Sequence, residues 1–159
     1  MNSSTGGKAS SERFLADAML GKLSRWLRFF GYDVEYVDSS VDDDEIIRKC
    51  YSSNLILITM DVDLSRRVKG SILLGSFNTD VQLRTLLEKF PISNEWEMTR
   101  CPVCNGGLAM KHEVNGDSVP EAVSRKFNEF WVCSACGRVY WKGSHYDRIK
   151  KKLAELKEM

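Results

Sequence analysis

The chain has 159 residues, enough for one compact domain, or a domain with a small appendage, to bury a hydrophobic core without disulfides. Hydrophobic residues make up 43% and charged residues 28%, the balance of a soluble globular protein, and no apolar run nears the ~20 residues of a membrane span. The net charge of +1 names no strongly electrostatic partner, but residues 12–100 carry 12 Lys and Arg against 15 Asp and Glu while residues 101–159 carry 10 against 7. That split suits an acidic body that collects cations and a mildly basic tail that meets a polyanion.

Residues 1–11 (MNSSTGGKASS) lack the apolar core of a secretory signal and read as a polar, disordered leader, which suggests a cytoplasmic protein. Residues 13–17 (RFLAD) form a short apolar strand ending in an acid. Leu20, Leu23, Leu27 and Phe30 then recur at steps of three and four, the face of a helix that Gly31 closes. Residues 33–37 (DVEYV) alternate as a strand does, and Asp42 with Glu45 has the spacing of a capping box opening a helix through Ile46, Ile47 and Cys50. Cys50 reads as a small buried hydrophobe. Residues 55–59 (LILIT) are a continuous apolar run, as in a strand covered on both faces. After Asp61 and Asp63 come a short helix from Leu64, a strand at residues 71–74 (SILL), and a helix with Leu83, Leu86, Leu87 and Phe90 that Pro91 ends. Strands alternating with helices predict an α/β fold with an open parallel sheet.

Around Arg100 the helical period disappears and Cys, Gly and Asn become common, marking a module boundary. Residues 101–141 read as two hairpin-like pieces separated by a polar insert (residues 112–128), followed by a basic helix from Tyr146 with Ile149, Leu153 and Leu156 on one side. Two Cys-x-x-Cys pairs, Cys101/Cys104 and Cys133/Cys136, stand 28 residues apart. Each makes a knuckle whose thiolates point at one ion, a Gly just after supplying the positive backbone dihedral of the turn. Four thiolates in a tetrahedron leave no open position, so the expected Zn²⁺ is structural. A thioredoxin-like redox pair needs only one such motif.

In an open parallel sheet, groups at the carboxyl ends of neighbouring strands converge on one crevice. Asp17 ends the first strand, Asp42, Asp43 and Asp44 precede a helix, and Asp61 and Asp63 follow the third strand. Carboxylates brought together select a hard cation, Mg²⁺ or Mn²⁺, which activates water and stabilises charge developing at phosphorus. Helix capping is the competing role for Asp42 and for Asp63.

The stretch FLADAMLGKLSRWLR (residues 14–28), the Asp42 to Glu45 helix start, Thr59-Met60-Asp61 and CSACGRVYWKGSH (residues 133–145) together resemble the Mut-seven C-terminal RNase family, over residues 13–148. The resemblance implies a three-layer PIN-like nuclease domain over residues 12–99 and a small zinc ribbon with a terminal helix over residues 100–159. It implies a metal-dependent ribonuclease whose acids are Asp17, Asp43 and Asp61, with Asp63 as a fourth; an endonuclease is the form expected, with exonucleolytic cleavage left open. PIN-like enzymes often carry Glu at the second acidic position, and the run of three Asp and Glu45 leaves that assignment open. The family commonly has a basic residue where Met60 stands.

Lys22 and Arg25 lie one turn apart on the polar side of the first helix, placed to hold phosphates of RNA; Arg28 continues that side. On the ribbon, Arg138, Trp141, Lys142, His145 and Arg148 interleave aromatic and basic groups that can stack bases and neutralise phosphates. Trp131 reads rather as cover for the ribbon's small core, and Lys150, Lys151 and Lys152 as a solvated helix face. Two other functions fit the same residues: an RNA- or ribosome-associated module that binds without cutting, and a hydrolase of small phosphate esters. No membrane association and no obligate protein partner is expected.

Overall fold

The computed structural model describes residues 11–93 and 96–158, so residues 1–10 of the expected leader lie outside it. Four strands, β1 (Arg13–Ala16), β2 (Asp33–Tyr36), β3 (Ile56–Thr59) and β4 (Ile72–Leu73), form a sheet in the order β2-β1-β3-β4. Every pairing is parallel. Between β1 and β2 lie a 3-10 turn (Ala18–Leu20) and helix α1 (Gly21–Phe29). Helix α2 (Asp43–Ser52) joins β2 to β3, α3 (Val62–Arg67) joins β3 to β4, and α4 (Thr79–Lys89) follows.

The direction of travel across the sheet decides the layers. The chain steps from β1 to β2 in one direction and from β2 back past β1 to β3 in the other, and right-handed crossovers then put α1 on one face and α2 and α3 on the opposite one. The strand period of two sorts the side chains accordingly. Phe14, Ala16, Val34 and Ile58 join Leu23, Leu27, Leu83 and Leu86 in one core, while Leu15 and Leu57 join Ile46, Cys50, Leu64 and Val68 in the other. The expected three layers and the burial of the LILIT strand on both faces are thus present. Gly31, with φ 92, ends α1.

Helix α3 begins at Val62, not Leu64: Asp61 is its N-cap and Asp63 sits in its first turn, so the capping role considered for Asp63 belongs to Asp61. The two expected hairpin pieces are one antiparallel sheet, β5 (Leu108–Lys111), β6 (Phe130–Cys133) and β7 (Val139–Tyr140), in that order. The polar insert contains a short helix, α5 (Glu121–Lys126), that buries nothing and so left no apolar period to read. The last helix, α6 (Ser144–Lys157), packs Ile149, Leu153 and Leu156 into the same core as α1 and α4. No helix among the described residues is long and apolar enough to cross a membrane.

An edge strand leaves unpaired backbone groups that a fold must cover. On β2 the first cysteine knuckle covers them. The Val34 N–H donates to Asn105 Oδ1 (3.1 Å), and the Val34 carbonyl accepts from Arg28 Nε (2.8 Å). Asn105 Nδ2 donates to Asp33 Oδ1 (2.8 Å), and Arg100 pairs with Asp33 at 3.3 Å. Arg28, buried rather than on a solvated face, also donates from Nη1 to the carbonyls of Pro102 (3.3 Å) and Val103 (3.2 Å). Burial lowers the guanidinium pKa, and the thiols of Cys104 and Cys101 act against that shift. Arg28→Ala is expected to cost about 2–3 kcal/mol, since it strands three carbonyls that a charged donor served. Thermal denaturation checks it, and Arg28→Lys should recover only part because an ammonium cannot reproduce the fork.

Candidate active site and metal centre

The strand order reverses beside β1, and the carboxyl ends of β1 and β3 flank that point, where open α/β sheets bind ligands. The β1–β3 ladder runs one residue past β1, with the Asp17 N–H donating to the Ile58 carbonyl (3.3 Å). Thr59, fully buried at the end of β3, ties the two acids together: its hydroxyl donates to Asp17 Oδ2 and accepts from the Asp61 N–H (3.0 Å). A hydroxyl can do both at once. Asp61 Oδ1 accepts from the Leu64 N–H (3.0 Å), the cap of α3, which leaves its other oxygen for a further partner.

Asp17 is only 9% exposed, and its Oδ1 is buried without a hydrogen-bond partner. Burial pushes its carboxyl above the ordinary value; the Thr59 hydroxyl and the Met19 N–H pull it down, and the charges of Asp61 and Asp43 push it up. The charges of Asp43 and Asp61 therefore reach Asp17, although three separate segments supply the acids. Of the acidic run, Asp42 caps α2 through Oδ1 to the Glu45 N–H (2.8 Å), and Asp44 is held by Arg67 at 2.5 Å. Asp43 makes no ion pair among the described residues, and it is the member of the run whose charge raises the Asp17 pKa. Asp63, its side chain 94% exposed, faces Arg66 at 3.9 Å and does not join the group.

The three carboxylates do not close into a tight ligand shell: among the described residues only the four cysteines bring ligand atoms within 4.8 Å of one another. Mg²⁺ keeps several waters and takes one or two carboxylates directly, so the wider arrangement still fits a hard cation, to which the orphaned Asp17 oxygen could be a ligand. Lys22 and Arg25 are exposed on α1, and neither makes an ion pair among the described residues.

In the cysteine group, Cys101 and Cys136 sulfurs lie 3.8 Å apart and those of Cys104 and Cys133 3.4 Å, near the ~3.8 Å edge of a tetrahedron with Zn–S bonds of about 2.3 Å. The N–H and guanidinium of Arg138 pull the Cys136 thiol down to about 6. The Cys104 thiolate accepts from the Gly106 N–H, yet burial and the neighbouring thiols push it up to about 12. The Cys136 and Cys104 thiols are thus pushed in opposite directions, and a cation bound among the sulfurs would favour both thiolates. In the second knuckle Gly137 carries the expected positive φ, 78. In the first, Asn105 carries it instead, φ 67, and Gly106 is required for space: a Cβ there would stand 2.7 Å from Cys133 Sγ. The Tyr140 hydroxyl lies 3.1 Å from Cys101 Sγ, and burial raises its pKa, keeping it a donor to the thiolate.

The ribbon residues expected to touch RNA gather elsewhere. His145 meets the ring of Phe29 edge-on at 5.4 Å. Phe29 ends α1, whereas Asp17 precedes its start, so the two groups are separated by about the ~13 Å length of a nine-residue helix. Lys142 lies over the rings of Trp131 (5.3 Å) and Tyr146 (5.6 Å), and Trp131 itself is buried, as expected. Trp141 lines a groove of about 170 Å³ with Tyr140, His145 and Tyr146. The Arg138 guanidinium acts on the Cys136 thiol, and Arg148 is exposed, its Nε donating to the Ser144 carbonyl (3.4 Å).

The sequence reading missed Thr59 and Asn105. Thr59 had a signal, a polar residue closing an apolar run just before an acid; Asn105 had none, because its partners are 71 and 72 residues away.

No curated protein and no solved structure matches the chain. A family model described as the Mut7-C RNAse domain matches residues 12–153, a span that takes in the acidic edge, both cysteine knuckles and most of α6. The chain belongs to the Mut7-C RNAse domain family.

Proposed function

We propose that the protein is a metal-dependent endoribonuclease that hydrolyses RNA phosphodiester bonds with Mg²⁺ or Mn²⁺ at the carboxyl ends of β1 and β3, its four cysteines holding a structural zinc ion. The observation that carries this reading is Asp17, a buried carboxylate with one oxygen unpartnered and two further acids close enough to raise its pKa. Such an arrangement is unfavourable in the folded chain alone, and a hard divalent cation reverses the sign. Asp17, Asp43 and Asp61 are the residues that would hold it.

Bound there, the ion supplies a water of lowered pKa and a counter-charge for the phosphoryl oxygens. The chain's part is orientation. Thr59 holds Asp17 Oδ2 and the Leu64 N–H holds Asp61 Oδ1, so each carboxylate offers its remaining oxygen in a fixed direction. Lys22 and Arg25 meet phosphates flanking the cut, and Trp141, Lys142, His145 and Arg148 extend the track along the ribbon, with Arg138 at its zinc end.

Cation binding can be measured without catalysis. Mn²⁺ at about a hundred times its Kd is expected to stabilise the wild type by about 2.7 kcal/mol, a rise in melting midpoint of roughly 5–11 °C. Asp17→Asn should show no such rise but should start higher. Because folding raises the Asp17 pKa, the folded state holds that proton more tightly than the unfolded chain, and stability falls as pH climbs from the ordinary 3.8 through the raised value. Asn has no proton to lose, so at pH 7 without divalent ions the variant melts above the wild type. An Asp17→Asn protein that melts lower and still responds to Mn²⁺ removes the basis of the reading.

A further inference from the structure

Beside Asp61 opens a groove of about 400 Å³, in the ~300–1,000 Å³ range of ligand sites, lined by Met19, Met60, Val62, Leu73, Phe77 and Asp61 itself. Single exposed apolar residues are ordinary, but here four converge: Phe77 is 80% exposed, Met19 64%, and Val62 and Leu73 are exposed as well. Phe77 is held outward by its neighbours. The Ser76 carbonyl accepts from Nε2 of the buried Gln82 (2.7 Å), and the Asn78 side chain caps α4 through the Asp80 N–H (2.9 Å).

The groove is continuous with the acidic edge on two sides. Asp61 and its chain neighbours Met60 and Val62 form one wall, and Met19, whose N–H faces the Asp17 carboxylate, forms another. A protein surface filling it would press Asp61 into apolar contact and bury its charge. An unpaired nucleobase has a flat uncharged face for Phe77 and Met19, and the sugar that carries it places a phosphate a short distance away, where the acids are.

We propose that this groove seats one unpaired base of the RNA, stacked on Phe77, adjoining the phosphate to be cut; this rests on the reading of the acidic edge as a nuclease site. Phe77 is then a specificity residue: a base locked in a duplex cannot present its face, so the enzyme selects single-stranded RNA.

Binding of a single-stranded RNA carrying 2-aminopurine, and of the same strand in a duplex, is measured with the zinc-loaded protein and no added divalent ion, so no strand is cut. The single strand should bind with quenching of the 2-aminopurine. Phe77→Ala should weaken that binding about tenfold and reduce the quenching while leaving duplex binding unchanged. Phe77→Trp should keep the affinity. Full recovery by Phe77→Leu, equal losses on both RNAs, or no binding of the single strand overturns the proposal. So does a wild-type sedimentation mass of two chains that Phe77→Ala halves with no change in RNA affinity, which assigns the groove to a second copy. Failure of the wild type to cut in Mn²⁺, with stacking intact, removes the nuclease reading alone.

Discussion

Replacing Asp17 and Asp61 together by Asn is expected to stop the zinc-loaded protein from opening a circular RNA in Mn²⁺, with a loss well beyond the ~10–100-fold that follows removal of a partner outside the ligand shell. A circle has no ends, so its opening reports internal cleavage. The two carboxylates come from adjacent strands and share Thr59 as a brace, so both substitutions strike one arrangement. Asn at each position keeps the size and an acceptor oxygen for the Thr59 hydroxyl and the Leu64 N–H, and the fold should survive. Asp63→Asn, at a solvated carboxylate outside the group, should leave the rate within a factor of two or so of wild type. The pH profile has a sign as well: Asp17 must be ionised to hold a cation, and its raised pKa moves the acidic limb of activity above the ordinary carboxylate range. Undiminished opening of the circle by the double variant would place the chemistry elsewhere.

Loss of zinc should have the larger effect on structure. The ribbon sheet consists of strands of four, four and two residues and cannot build much core, so metal binding, worth about 10–16 kcal/mol in small zinc modules, would supply a large part of its folding free energy. Cys101→Ala, or chelation, is expected to abolish amide protection in hydrogen exchange at Cys133 and Ser134, whose N–H groups donate to the carbonyls of Arg138 (2.9 Å) and Gly107 (3.0 Å), and to release one zinc per chain. The damage should reach the parallel sheet. Arg28, Asn105 and Arg100 tie the first knuckle to Asp33 and Val34, so unfolding it strips the cover from the edge of β2 and leaves a buried guanidinium with fewer acceptors. The core shared by α1, α4 and α6 should keep its protection, because Ile149, Leu153 and Leu156 reach it without the cysteines. A Cys101→Ala chain that retains zinc and ribbon protection would show that the cysteines are not the ligand set.

Much of this was legible in the order of residues because the forces concerned are local. Apolar steps of three and four, an alternating run, a Pro, a Gly or an Asp three places before its partner amide act within one turn or one strand, and the parallel sheet, the caps and the two knuckles follow from them. Where a second local rule could claim the same residue, the reading stayed ambiguous: Asp42, Asp43 and Asp44 are equivalent by spacing. Folding separates them by what lies opposite, an amide for Asp42, Arg67 for Asp44 and the field of Asp17 for Asp43.

The sequence by itself determined the two cysteine pairs, the alternation of strand and helix, and the presence of acids at the strand ends, since each depends on neighbours a few bonds away. Only the tertiary structure decided that Thr59 braces two of those acids, that Arg28 is buried against a knuckle 74 residues on instead of facing RNA, and that Phe77 stands open beside Asp61. Those facts depend on which distant segments share a solvent-excluded space, and charge, burial and hydrogen-bond partners acquire their meaning only there.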